Sequence, residues 1–137
     1  MRESDLISIH VPRTPQSRGL IGEAQLRLMK PRAYLVVTSR GGIVDEAALI
    51  QALEEGRIAG AGLDVQAREP LPLDDPLMTA PNLILTPHCG GYAEESADEV
   101  KRLACEAAGR VLAGQWPRWV VNREVRPKLP LAGDPPA

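Results

Sequence analysis

The stretch that decides the fold is residues 33–65, AYLVVTSRGGIVDEAALIQALEEGRIAGAGLDV. Apolar runs at its two ends, residues 33–38 and 58–65, have the length and composition of buried β-strands. Between them, residues 46–55 carry apolar side chains at helical spacing, with Asp45 as a predicted N-cap. A strand, a helix and a second strand in this order predict a parallel pair joined by a right-handed crossover.

The sequence on either side of this unit continues the same alternation. It predicts further strands at residues 5–11 and 82–85, a short helix at 22–29 and a long helix at 93–113. Residues 69–81 are rich in proline and are predicted to form a loop. Four strands and three helices indicate an α/β protein whose parallel sheet is about half of a doubly wound domain.

Composition argues against several classes of function. The formal net charge is -2 and the basic residues are scattered, so a nucleic-acid partner is not expected. No apolar run approaches the ~18 residues of a membrane span, and the amino terminus does not resemble a secretory signal. Cys89 and Cys105 have neither metal-ligand spacing nor a disulfide framework, so no metal site is predicted. We therefore expect a cytoplasmic protein that does not bind membranes.

Chemically active side chains follow three of the predicted strands. Arg40 follows the second strand, Glu69 follows the third across a short loop, and His88 follows the fourth. In an open parallel sheet the carboxyl ends of the strands share one edge, where ligands bind. A guanidinium can hold a carboxylate, an imidazole can exchange a proton with a carbonyl oxygen, and a glutamate can orient that imidazole. Each residue alone is compatible with a surface role, but together they fit reduction of a 2-keto acid by a nicotinamide cofactor.

Four longer motifs give the sequence a family resemblance. They are HVPRTPQSRGLI at 10–21, VVTSRGGIVDEAALIQALEEGRIAGAGLDV at 36–65, DVQAREPLPLDDPL at 64–77 and NLILTPHCGGYAEES at 82–96. Together they resemble the D-isomer-specific 2-hydroxyacid dehydrogenases, a group that includes phosphoglycerate and glyoxylate/hydroxypyruvate enzymes. The resemblance covers most of the chain, residues 4–122. It implies a Rossmann-like fold, NAD or NADP as cofactor, and a small 2-keto or 2-hydroxy acid as substrate.

The resemblance also implies a role for individual residues. Arg40 matches the arginine that binds the substrate carboxylate, Glu69 matches the partner of the histidine, and His88 matches the acid/base. Asp64 matches the aspartate that hydrogen-bonds the nicotinamide carboxamide. Contacts with the cofactor are further implied for His10, Val11, Pro12, Thr38, Ser39 and Gly90.

Two parts of such enzymes, the glycine-rich phosphate loop and the substrate domain, have no counterpart in the 137 residues. Residues 1–114 are expected to be the carboxyl-terminal half of a dinucleotide-binding domain, and residues 115–137 a tail returning towards a substrate domain. The chain alone is expected to have little or no activity, because its pyrophosphate site is incomplete. The resemblance implies a homodimer for the intact enzyme. Two alternatives stay open: a non-catalytic NAD-sensing or protein-interaction module, and the remnant of a truncated gene.

Overall fold

The computed structural model describes residues 1–122 and 124–133 and confirms the predicted alternation of strands and helices. The strands are β1 (Leu6–Ile9), β2 (Tyr34–Val37), β3 (Gly60–Leu63) and β4 (Leu83–Leu85). The helices are α1 (Glu23–Leu26), α2 (Glu46–Glu54) and α3 (Glu94–Leu112), with a single-turn 3-10 helix at Pro76–Thr79.

The four strands form one parallel sheet in the order β1-β2-β3-β4. Each strand pairs with the next one along the chain, and the register aligns Ile9 with Val37 and Val37 with Leu63. The chain is therefore α/β with a partial Rossmann-like sheet, as predicted from the sequence. Because every strand runs the same way, all four carboxyl ends lie at one edge.

The core covers one face of this sheet. Alternate residues of the central strands, Leu35 and Val37 of β2 and Ala61 and Leu63 of β3, are 5% exposed or less. They belong to one apolar cluster with the inner residues of the helices, Leu26, Leu49, Leu53 and Leu77. Burial of such a side chain contributes about 1.5–3 kcal/mol. The opposite face presents Leu6, Tyr34 and Ile84, each more than half exposed.

The turn between β2 and α2 is built by local interactions that the sequence predicts. Asp45 has extended backbone angles, and its Oδ1 accepts a hydrogen bond of 3.1 Å from the backbone N–H of Ala48. This is the expected N-cap, which satisfies one of the free donors at the start of a helix. Gly42 has φ +77°, a conformation that glycine adopts without strain. The turn fixes where α2 begins and carries Arg40 at its start.

Several local elements differ from the prediction, and β1 and β3 are shorter than the predicted strands at 5–11 and 58–65. Helix α1 ends at Leu26 rather than at residue 29, and the next residues form turns. The proline-rich stretch at 69–81 is not loop throughout, because residues Pro76–Thr79 form the 3-10 helix. Asp75 caps that helix by accepting a 3.0 Å hydrogen bond from the N–H of Leu77, which is 1% exposed. A capping aspartate followed by proline at the first helical position was the overlooked signal.

The chain divides into two compact units after Gly90. The first unit holds the sheet, α1, α2 and the 3-10 helix. The second begins at Gly91 and contains α3, whose Arg110 Nε donates a 2.8 Å hydrogen bond to the carbonyl of Trp116. The assignment of residues 1–114 to a single domain stays a prediction. Within the described parts of the chain, no helix is both long enough and apolar enough to cross a membrane.

Candidate active site

The predicted site residues leave the sheet at one edge. His10 directly follows β1, Thr38 follows β2, Asp64 follows β3, and His88 is the third residue after β4. This placement was expected from the parallel order of the strands, and the sheet topology bears it out. The contacts of the side chains then separate the residues into two groups, one around His88 and one around Arg40.

The first group is a pair of side chains, Glu69 and His88. Oε2 of Glu69 lies 2.8 Å from Nδ1 of His88, and the side chains are 36% and 44% exposed. An ionised carboxylate only accepts hydrogen bonds, so the imidazole must carry a proton on Nδ1. In the neutral ring this leaves Nε2 as a proton acceptor, and in the charged ring Nε2 is a proton donor. The pair therefore has the arrangement of an oriented acid/base.

The second oxygen of the Glu69 carboxylate is also held. Oε1 accepts a 3.0 Å hydrogen bond from the backbone N–H of Gln66. The hydrogen bond from His88, with a smaller contribution from the Gln66 N–H, lowers the pKa of Glu69 below its ordinary value. Glu69 is therefore ionised at neutral pH and accepts the hydrogen bond from Nδ1.

The turn that carries His88 is organised by the buried carboxylate of Asp64. Oδ1 accepts hydrogen bonds from the Thr86 hydroxyl at 2.5 Å and the Cys89 N–H at 2.9 Å, and Oδ2 accepts one from the Gly90 N–H at 2.8 Å. These bonds, the Thr86 hydroxyl first, lower the pKa of Asp64. Inside the turn His88 has φ +54°, a strained conformation for a residue with a Cβ. The three bonds hold the backbone in this shape.

Sequence reasoning missed this role of Asp64. The resemblance gave it the nicotinamide carboxamide as a partner, and the alternative, a cap at the end of the strand, did not name Thr86, Cys89 and Gly90. Gly90 itself is close to Asp64, since a Cβ at position 90 would lie 2.8 Å from Oδ2. The predicted contacts of Asp64 and Gly90 with a cofactor stay predictions.

The second group surrounds Arg40. Its guanidinium is exposed, and Nη1 donates a 2.7 Å hydrogen bond to the carbonyl of Ser39. Arg40 lines an open pocket of about 660 Å³ together with the residues predicted to contact the cofactor, His10, Val11, Pro12, Thr38 and Ser39. Arg13, which sequence reasoning did not single out, lines the same pocket. Glu69 and His88 line a different pocket, so the structure brings together two of the three predicted reaction residues and places Arg40 in a separate pocket.

The two groups are linked through the backbone of Gly41. A Cβ at this position would lie 1.7 Å from the carbonyl oxygen of Gln66, so the chain next to Arg40 packs directly on the loop that leads to Glu69. Glu46, at the first turn of α2, reinforces the contact by accepting a 2.6 Å hydrogen bond from the N–H of Ala67. Glycine is required at position 41 for this close approach.

The pocket around Arg40 fits part of a dinucleotide cofactor. Ser39 Oγ is buried and has no hydrogen-bond partner among the residues that the structure describes, which leaves a donor and acceptor ready for a ligand. The buried hydroxyl of Ser17 donates a 2.7 Å hydrogen bond to the carbonyl of Pro12 and so shapes the loop that forms one wall. Positive charge from Arg13 and Arg40 suits an anionic ligand.

The pocket beside the Glu69–His88 pair has a different character. It measures about 490 Å³, and its walls are mostly apolar. They are formed by Gln66, Glu69, Pro70, Leu71, Met78, Leu85, Thr86, Pro87 and His88. An apolar pocket with a few converging polar groups is the usual form of a small-molecule site.

Comparison with known proteins agrees with this geometry. Residues 1–90 match the family described as D-isomer specific 2-hydroxyacid dehydrogenase, NAD binding domain. The chain is 46% identical over 125 residues to a glyoxylate reductase of Korarchaeum cryptofilum, covering 91% of this chain and 38% of the relative. It is 42% identical to glyoxylate/hydroxypyruvate reductase B of Pectobacterium carotovorum, covering 91% of this chain and 39% of the relative.

A solved structure supports the same assignment. The NAD-complexed D-isomer specific 2-hydroxyacid dehydrogenase of Lactobacillus delbrueckii superposes with a TM-score of 0.80 at 36% identity, covering 88% of this chain and 41% of that chain. The chain thus spans about two fifths of the length of these three proteins. The match covers the carboxyl ends of β1 to β4, where the candidate site lies. The chain therefore belongs to the D-isomer specific 2-hydroxyacid dehydrogenase family and carries part of its NAD-binding domain.

Proposed function

We propose that this chain supplies the acid/base and the carboxylate-binding residue for NAD(P)-dependent interconversion of a small 2-keto acid and its 2-hydroxy acid. The observation that carries the proposal is the Glu69–His88 pair, with 2.8 Å between Oε2 and Nδ1, at the ligand-binding edge of the sheet. The family membership and the similarity to glyoxylate reductases support the same reaction.

In the direction of reduction, His88 donates a proton from Nε2 to the carbonyl oxygen of the substrate. Glu69 holds Nδ1 throughout and stabilises the positive charge of the ring before it donates. In the reverse direction the neutral ring takes the proton from the hydroxyl group. Arg40 binds the substrate carboxylate and polarises the neighbouring carbonyl. The nicotinamide cofactor, when bound, exchanges a hydride with the second carbon of the substrate.

Cofactor binding is assigned to the pocket around Arg40. The pocket is also lined by His10, Val11, Pro12, Thr38 and Ser39, and the buried Ser39 hydroxyl is available for a hydrogen bond. Asp64 and Gly90 complete the predicted set. Oδ2 of Asp64 accepts one hydrogen bond, from Gly90, and so retains capacity for a carboxamide N–H.

The wider biological context is part of the same proposal. Residues 1–114 are assigned to a dinucleotide-binding domain and residues 115–137 to the return towards a substrate domain. The working enzyme is proposed to be a cytoplasmic homodimer, and the free thiols of Cys89 and Cys105 agree with a reducing compartment. For the 137-residue chain alone we expect little or no turnover, because it carries no glycine-rich phosphate loop.

A chimera tests the proposal. The matching part of this chain replaces the 125-residue segment of the Korarchaeum cryptofilum glyoxylate reductase to which it is 46% identical. The chimera should reduce glyoxylate with NADH or NADPH, and His88→Asn should lower kcat by about 10²–10⁴-fold. His10→Asn, the matched change at the only other histidine, should alter KM for the cofactor more than kcat. A folded chimera that binds NADH without turnover would instead support a non-catalytic cofactor sensor.

A further inference from the structure

Gln66 is a buried amide at the junction of the site. It lies two residues after Asp64, directly follows the buried Val65 and is 6% exposed. Its Nε2 donates hydrogen bonds of 3.3 Å to two carbonyl oxygens, those of Leu63 and Thr86. Both donors of one side-chain amide are therefore used inside the protein.

The two carbonyls belong to the ends of neighbouring strands. The Leu63 carbonyl also accepts the Thr86 N–H at 3.0 Å, which is the last rung between β3 and β4. The Thr86 carbonyl also accepts the N–H of His88 at 3.0 Å, within the turn that gives His88 its positive φ. The Gln66 amide thus bridges the strand that leads to Glu69 and the turn that presents His88.

The backbone of Gln66 acts on the same pair. Its N–H donates to Oε1 of Glu69 at 3.0 Å, while Oε2 of Glu69 contacts Nδ1 of His88 at 2.8 Å. Its carbonyl oxygen is packed against Gly41, in the loop of Arg40. Gln66 therefore contacts Glu69, the turn that carries His88 and the loop that carries Arg40.

We propose that Gln66 is a positioning residue whose side-chain amide fixes the turn of His88 relative to Glu69 and so maintains the imidazole tautomer with its proton on Nδ1. The inference rests on the proposed acid/base role of His88. The tautomer itself can be measured without cofactor or substrate, so its test is independent of dehydrogenase activity. A neutral imidazole takes either tautomer, and the hydrogen bond to one ring nitrogen decides which is populated.

The test uses nitrogen NMR on the 137-residue chain. Long-range proton–nitrogen spectra above about pH 8, where ordinary imidazoles are neutral, distinguish the two tautomers of each ring. The chain has two histidines, and His10, which contacts Ser8 rather than Glu69, serves as the internal reference. In the wild-type chain His88 should be protonated on Nδ1.

Gln66→Met keeps the length and volume of the side chain and the backbone N–H to Glu69, but removes both amide donors. The ratio of Nδ1-protonated to Nε2-protonated His88 should fall by about fivefold, as loss of a typical hydrogen bond allows. His10 should not change. Gln51→Met, the same substitution at an exposed glutamine of α2, is the matched control and should leave both rings unaffected.

Gln66→Glu provides a second variant of similar size that also lacks the amide donors when ionised. An unchanged His88 tautomer in a folded Gln66→Met or Gln66→Glu chain would overturn the proposal, as would an Nε2-protonated His88 in the wild-type chain. If both variants unfold, Gln66 serves the stability of the whole fold, and its assignment to the tautomer is also overturned. Failure of the chimera to turn over glyoxylate would leave these spectra unaffected and would bear only on the reaction.

Discussion

Oε2 of Glu69 lies 2.8 Å from Nδ1 of His88, although the two residues are 19 positions apart and follow different strands. The distance results from the sheet, because β3 and β4 are parallel neighbours that end at one edge. It also depends on the turn around Asp64, which gives His88 its left-handed backbone. The pair is therefore a property of the fold as well as of the two side chains.

Replacement of Asp64 by asparagine should destabilise the first unit by about 1–3 kcal/mol. In the asparagine variant an NH2 group replaces one carboxylate oxygen. This group would face a backbone N–H of the turn, so that two hydrogen-bond donors would point at each other. Denaturant unfolding measures the loss. Asp74→Asn, at an exposed aspartate, is the control and should change the free energy of unfolding by no more than about 0.5 kcal/mol. An equally small effect at Asp64 would show that the turn does not need its carboxylate.

Acid should lower the free energy of unfolding of the first unit, because it protonates Asp64 and Glu69. The pKa of each is lower in the folded chain than the ordinary values of 3.8 and 4.5. Their stabilising contribution is therefore complete above these values and is lost as pH falls through the folded pKa. Burial raises the pKa of Glu46, so protonation of Glu46 at acid pH favours the folded chain and acts against this loss. Unfolding free energies at about pH 6 and about pH 3 should differ less in Asp64→Asn than in the wild type; an equal difference would exclude Asp64 as a source.

Gly41→Ala should disturb both the fold and the site. The added Cβ would lie 1.7 Å from the backbone oxygen of Gln66, and only a shift of one loop relieves the clash. We expect a loss of about 1–3 kcal/mol or more in unfolding free energy and a lower kcat in the chimera. Gly62→Ala is the control, because a Cβ there meets nothing within 4 Å. A Gly41→Ala variant as stable as Gly62→Ala would contradict the described packing.

Asp45→Ala should destabilise α2 by about 1 kcal/mol through loss of its N-cap. Asp45→Ser keeps a side-chain oxygen that can accept the N–H of Ala48 and should recover most of that loss. Thermal unfolding of the three chains makes the comparison. If alanine and serine gave the same melting temperature, the 3.1 Å contact would not be a stabilising hydrogen bond.

The sequence predicts those features that depend on chain order and local chemistry. The parallel sheet, the Asp45 cap and the exit of Arg40 and His88 at one edge all follow from short-range patterns. The proximity of Glu69 to His88 was expected from the family resemblance and from strand order. These expectations required only that neighbouring strands run in the same direction.

Other features depend on contacts between segments that are distant in the sequence, and sequence patterns do not reveal them. Asp64 and Gln66 are polar residues at the end of an apolar strand, but their partners come from the turn after β4. The need for glycine at position 41 arises from the approach of the loop after β3. The separate pockets of Arg40 and His88 likewise depend on how each loop folds beyond its strand. The sequence gives only one indication of these long-range contacts, which is a polar residue at a position where the pattern predicts a buried apolar one.

The most direct test of the acid/base pair is a double-mutant cycle in the chimera, with Glu69→Gln, His88→Asn and the combined variant assayed for kcat with glyoxylate. If Glu69 acts through His88, removing Glu69 should matter only while the imidazole is present. The combined variant should be no slower than His88→Asn alone, to within about twofold. Losses in kcat that multiply, as for two independent residues, would contradict it.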